Sequence, residues 1–87
     1  MTDDGVITGV SVSYARATVD EIESACAEDE RSRVRDLLTH PDVDEAYVLQ
    51  TCNRAEAYVV TDDAAAGRRV LEPVVADVRS GAVVHME

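Results

Sequence analysis

The stretch EAYVLQTCNRAEAYVVTD, Glu45 to Asp62, decides the fold. Both of its halves alternate apolar and polar residues with the period of a strand, and both are rich in Tyr and Val. Glu45 to Thr51 is one expected strand and Ala55 to Asp62 the next. Only about three residues separate them, so an antiparallel hairpin is expected. Its tip gathers Thr51, Cys52, Asn53 and Arg54: a hydroxyl, a thiol, an amide and a guanidinium in one turn.

Upstream, VITGVSVSY, Val6 to Tyr14, is β-branched and alternating, and is expected to be a first strand. Thr18 with Glu21 forms a capping box, and Asp20, Glu21 and Glu23 suit the positive end of a helix dipole. Ile22, Ala25 and Cys26 share one face. The period falters over Glu28 to Glu30 and resumes with Val34, Leu37 and Leu38, leaving Arg31, Arg33 and Arg35 outward. Val19 to Thr39 is therefore expected to be helical with a break near Asp29. Pro41 ends it, because proline disfavours helix in the residue before it.

Downstream, Asp62 or Asp63 caps another helix, in which Val70, Leu71, Val74, Val75 and Val78 fall at helical spacing. Pro73 should kink or split it, and Gly81 fits a C-terminal cap. AVVHME, Ala82 to Glu87, closes as a fourth strand. The order βαββαβ is the split βαβ, ferredoxin-like pattern of the α+β class. One four-stranded antiparallel sheet would carry both helices on one face, with residues 1–87 as a single domain. Such a fold leaves function open.

Composition narrows the function classes. The chain has 87 residues, 46% of them apolar, with three Tyr and neither Phe nor Trp. A core of Val, Ala and Leu gains little per side chain, so the domain is expected to be marginal in isolation. Eighteen acidic residues face eight basic ones, all Arg, for a net charge of −10. Apolar content this high argues against disorder. A folded domain with a strongly hydrated acidic surface is expected, stabilised when concentrated salt screens its self-repulsion, as in halophile proteins. No basic patch suited to nucleic acid is evident, and no apolar run approaches the ~20 residues of a membrane span. MTDDGVITG at the start lacks the pattern of a signal peptide, so the expected compartment is the cytoplasm.

Cys26 and Cys52 form no Cys-x-x-Cys pair, and with two His they make no zinc spacing, so no metal is expected. A disulfide is not expected in a reducing compartment. Cys26 fits a small apolar packing residue. Cys52 either packs likewise or serves as a nucleophile, since a thiol beside a guanidinium favours its thiolate. Arg54 is either a solvated turn residue or a two-point fork for a carboxylate. Asn53 is a turn former or an amide that holds a substrate carbonyl, and Thr51 caps the turn or donates its hydroxyl. Glu56 points outward or pairs with Arg54. His40 and His85 stand beside no visible partner, and no glycine-rich phosphate loop is present.

LQTCNRAEAY resembles the signature of glutamyl-tRNA reductases, L-S/Q-T-C-N-R-x-E-x-Y, with matches at Leu49, Gln50, Thr51, Cys52, Asn53, Arg54, Glu56 and Tyr58. SYARATVD resembles the family's S-H-K-T-A-P-V-E more loosely, matching at Ser13, Ala17, Val19 and the acidic Asp20 and departing at Tyr14 and Thr18. The resemblance implies that Cys52 attacks the ester joining glutamate to its tRNA and forms a thioester. Hydride from NADPH then yields glutamate-1-semialdehyde, the first step of five-carbon tetrapyrrole synthesis. It implies that Arg54 holds a carboxylate and that Thr51 and Asn53 line the pocket. It further implies a longer homodimeric enzyme with NADPH-binding and helical dimerisation domains, and a handover to the aminomutase that takes the semialdehyde. With a net charge of −10 here, most tRNA phosphate contacts are expected in other domains. His85 lacks the sequence surroundings of the family's active-site histidine. The competing classes are a ferredoxin-like module that binds a ligand or protein without catalysis, and a redox regulator with Cys52 as sensor thiol.

Overall fold

The structure is a computed structural model and describes residues 5–86. Glu87, the expected end of the last strand, and residues 1–4 of the N-terminal stretch lie outside the described residues. The elements are β1 (Val6–Ser13), α1 (Val19–Ala25), α2 (Glu30–Leu38), β2 (Glu45–Gln50), β3 (Arg54–Thr61), α3 (Ala64–Leu71) and β4 (Val83–Met86), with 3-10 turns over Glu72–Val75 and Ser80–Ala82. The sheet order is β2-β3-β1-β4 and every neighbouring pair is antiparallel, which is the expected ferredoxin-like arrangement.

Alternation along the strands sends one set of side chains under the helices. Val10 and Val12 of β1 and Ala55, Ala57 and Val59 of β3 are buried on that face. Val10, Ala57 and Val59 join Leu37, Val48, Val70, Leu71 and Val74 in one cluster. Val12 and Ala55 join Ala17, Ile22, Ala25, Val78 and Ala82 in a second, nearer the hairpin turn. Alanine at 55 and 57 lets the helical layer lie close to the sheet. Gly67 serves the same end in α3: a Cβ there would sit 2.5 Å from Thr8 Oγ1 and 2.7 Å from Thr8 Cβ.

The long first helix is two helices. Thr18 and Glu21 cap α1 reciprocally, as their spacing predicts. Asp29 then accepts the Ser32 N–H at 2.7 Å and starts α2. A capping carboxylate competes well with helix continuation, because it satisfies amides that a helix start leaves unbonded. Gln50, the last residue of β2, bridges the break. Its Oε1 accepts the Ala27 N–H at 2.8 Å, its Nε2 donates to the Ala27 carbonyl at 3.3 Å, and its own N–H donates to Glu30 at 2.8 Å. Arg33, expected outward, turns back and donates to the Ala25 carbonyl at 3.2 Å, where the end of α1 offers partial negative charge.

Asp63 caps α3 through the Ala66 N–H at 2.8 Å. Pro73 splits the following stretch as expected: α3 stops at Leu71 and a 3-10 turn takes over. Gly81 is no helix C-cap. It lies within a 3-10 turn at negative φ, because the helix has already ended ten residues earlier at Leu71. Arg79 locks this connection with a two-point pair to Glu21, Nε to Oε2 at 2.8 Å and Nη2 to Oε1 at 3.0 Å. Chiefly through that hydrogen bonding, the Glu21 carboxyl is lowered to about 2. Among the described residues no helix is long and apolar enough to cross a membrane.

Candidate active site

The candidate site is the turn between β2 and β3. It is three residues long, Thr51 to Asn53, as the sequence suggested. Thr51 closes it: its N–H donates to the Arg54 carbonyl at 2.9 Å, and its hydroxyl oxygen accepts the N–H groups of Asn53 and Arg54 at 3.1 and 3.2 Å. Thr51 is therefore the turn cap. The Asn53 carbonyl accepts the Tyr14 N–H at 2.8 Å, which fastens the turn to the end of β1. Cys52 sits at the tip, exposed, with no hydrogen bond among the described residues. Cys26 differs: it closes α1, packs beside the second core cluster, and burial pushes its thiol pKa up.

Arg54 opens β3 opposite Ser13. With strand period, Arg54, Glu56 and Tyr58 face the side of the sheet that carries no helices. Arg54 Nη1 donates to Glu56 Oε2 at 3.3 Å, so the guanidinium leans along the sheet toward Glu56. Its side chain stays 51% exposed while that of Glu56 is 15% exposed. Glu56 also accepts the Ser11 hydroxyl at 3.2 Å and the Tyr58 hydroxyl at 2.9 Å. The Tyr58 ring lies over Gly9, where a Cβ would collide with it, and tilts against Tyr47 with ring centroids 6.1 Å apart. Burial first, then the Glu56 carboxylate, raises the Tyr58 pKa. Thus the R-x-E-x-Y spacing of the signature is a strand period that puts three polar groups in one network.

Sequence reasoning brought together Thr51, Cys52, Asn53 and Arg54; the first three form the turn and Arg54 is the first residue of β3. It missed Ser11 and the role of Tyr58. The period-two run from Arg54 to Tyr58 was the signal for Tyr58; Ser11 had none, since its partner lies 45 residues away. His40 and His85 are exposed and stand apart, His85 facing Val10 across β4 and β1. Among the described residues no three His, Cys, Asp or Glu side chains are grouped to hold a metal ion.

The family model described as glutamyl-tRNAGlu reductase, N-terminal domain, matches residues 10–86. The chain belongs to this family. It is 55% identical over 82 residues to a glutamyl-tRNA reductase of Haloquadratum walsbyi, covering 94% of this chain and 18% of that protein. It is 48% identical over 84 residues to that of Haloarcula marismortui, covering 97% of this chain and 19% of that protein. The solved glutamyl-tRNA reductase from Methanopyrus kandleri superposes with a TM-score of 0.69 at 24% identity, over 94% of this chain and 19% of that one, and shares its fold. The chain thus spans about a fifth of the length of these glutamyl-tRNA reductases.

Proposed function

We propose that this chain is the N-terminal catalytic portion of a glutamyl-tRNA reductase and that Cys52 is its nucleophile. The observation that carries the reading is an exposed thiol on a turn tied down at both ends, beside a half-exposed arginine, in a chain of the reductase N-terminal family. The sulfur attacks the carbonyl carbon of the ester between glutamate and tRNA. An S–C bond forms, the C–O bond to the terminal ribose breaks, and the thiol proton ends on the departing hydroxyl. A glutamyl thioester on Cys52 and free tRNA result. Arg54 takes the glutamate side-chain carboxylate, for which a guanidinium fork is the natural partner. Asn53 and the hydroxyl proton of Thr51, whose oxygen already accepts two backbone N–H groups, line the pocket. A turn held rigidly at both ends converts binding into rate, because the reacting atoms meet without further ordering.

The reading implies NADPH as reductant of the thioester, giving glutamate-1-semialdehyde for tetrapyrrole synthesis. The described residues do not fit a dinucleotide. The starts of α1, α2 and α3 are closed by Thr18, Asp29 and Asp63, and no glycine-rich turn precedes them to admit a pyrophosphate. No hydride step is assigned to these residues; the NADPH site belongs to other parts of the reductase. With a net charge of −10, most tRNA phosphate contacts are likewise assigned outside this domain, in a cytoplasm whose salt screens the acidic surface. The family resemblance extends the proposal to a homodimer that passes its product to the aminomutase.

The test is to incubate the chain with glutamyl-tRNA in concentrated salt and map acylated peptides by mass spectrometry. Cys52 is expected to gain a glutamyl group, Cys52→Ser to abolish it, and Cys26→Ser to leave it in place. Absence of acylation at Cys52, or equal acylation at Cys26, overturns the proposal.

A further inference from the structure

Two arginine–glutamate pairs are of opposite design. Arg79 and Glu21 meet through two nitrogens and two oxygens, which closes the guanidinium fork. Arg54 and Glu56 meet through one nitrogen only, at 3.3 Å, and the other guanidinium nitrogens of Arg54 take no partner among the described residues. The carboxylate of this second pair is held far more firmly than the arginine. Ser11 from β1 and Tyr58 from β3 donate to its two oxygens, and the Tyr58 ring is pressed over Gly9. A carboxylate gripped from two strands and largely withdrawn from solvent is a fixed anchor. An arginine tethered to it by one arm loses much of its rotamer freedom while its outer edge stays open.

We infer that Glu56, held by Ser11 and Tyr58, is a positioning residue that presents the open edge of Arg54 to a carboxylate-bearing acyl substrate beside Cys52. This rests on the proposed role of Cys52 and adds the source of its selectivity. The guanidinium needs a neighbouring carboxylate to be oriented, but one that does not occupy its fork. The single-arm contact meets both conditions, whereas Arg79 spends Nε and Nη2 on Glu21 and Nη2 also on the Arg16 carbonyl at 3.2 Å, which leaves no free pair of nitrogens for a two-point carboxylate contact. Because Glu56 does not touch the substrate, its loss is expected to act on recognition of the substrate carboxylate more than on the acylation step.

The full chain is given the 4-nitrophenyl α-esters of glutamate and of glutamine, which differ in the charge of the side chain, and Cys52 acylation is followed by nitrophenol release and mass spectrometry. Glu56→Gln is expected to raise KM for the glutamate ester about tenfold, with the saturating rate changed by less than about threefold, and to cut the preference for glutamate over glutamine about tenfold. Tyr58→Phe keeps the ring and removes one donor, so it shifts the same preference in the same direction by less. Circular dichroism in concentrated salt checks that each variant is folded. An equal loss toward both esters, or an unchanged preference in folded Glu56→Gln, overturns the positioning role. If the unsubstituted chain takes up neither ester at Cys52, the nucleophile reading falls and this assignment with it.

Discussion

The N–H of Tyr14 donates to the carbonyl of Asn53 at 2.8 Å. That bond carries the β1–β3 ladder one step past Ser13 and Arg54, and it joins the two stretches that match the reductase family. Tyr14 itself is 66% exposed, so position 14 contributes to the turn through its backbone. That backbone contact does not depend on the side chain at position 14.

Exposure separates the two thiols. Cys52 is open to solvent, while Cys26 is half-buried with its thiol pKa raised chiefly by desolvation. Limiting iodoacetamide is expected to modify Cys52 at least about tenfold faster than Cys26 near neutral pH. Peptide mapping over time measures the ratio, and comparable rates would contradict the packing described for Cys26.

Gln50 satisfies both backbone groups of Ala27 in the gap between α1 and α2. Gln50→Ala leaves that N–H and C=O without protein partners, at a cost of about 1–3 kcal/mol where water reaches them poorly. Urea unfolding in concentrated salt should show a lower midpoint with an unchanged slope. No change in midpoint would mean that water replaces the amide fully.

Gly67→Ala sets two effects against each other. Alanine favours helix over glycine by about 1 kcal/mol, whereas forcing a methyl into a packed contact costs about 1–3 kcal/mol. The methyl would meet Thr8, fully buried on the central strand β1 and unable to swing aside. Net destabilisation is expected in denaturant titration. A more stable variant would show that α3 can shift away from the sheet.

Glu21 titrates at about 2 in the folded chain against 4.5 when free, because Arg79 and the Thr18 amide bind its charged form. A depressed folded pKa adds stability that is complete above the unfolded value and is lost as pH falls through the folded one. That contribution should therefore fade between pH 4.5 and about 2. Arg79→Gln should be less stable than the unsubstituted chain at pH 6, and the difference should shrink across this window. A difference independent of pH would assign the effect of Arg79 to packing.

Charge repulsion predicts salt dependence. With a net charge of −10, thermal midpoints should rise steeply with KCl up to roughly 1 M, where the Debye length has fallen from about 10 Å at 0.1 M to about 3 Å. A midpoint that does not move over this range would remove the electrostatic account of the acidic surface.

Local chemistry was legible in the chain itself. The capping box of Thr18 and Glu21, the split at Pro73, the three-residue hairpin turn and the clustering of Thr51, Cys52, Asn53 and Arg54 depend on residues a few positions apart, where backbone preference and side-chain reach decide the outcome. The alternation in β1 and β3 likewise marked both as strands, because a strand places successive side chains on opposite faces.

Contacts between distant segments were decided only by the tertiary structure. The sequence marked Asp29 as a weak point in a helix; the amide of Gln50, arriving from β2, is what satisfies the broken backbone there. Arg33 follows helical outward periodicity in the sequence, yet the carbonyl it finds belongs to the neighbouring helix. Arg54, Glu56 and Tyr58 fall at strand period in the sequence, but pairing with β1 brought Ser11 to Glu56 and laid Tyr58 over Gly9. Periodicity specifies which face a side chain occupies; only strand register specifies which side chain waits on the strand beside it.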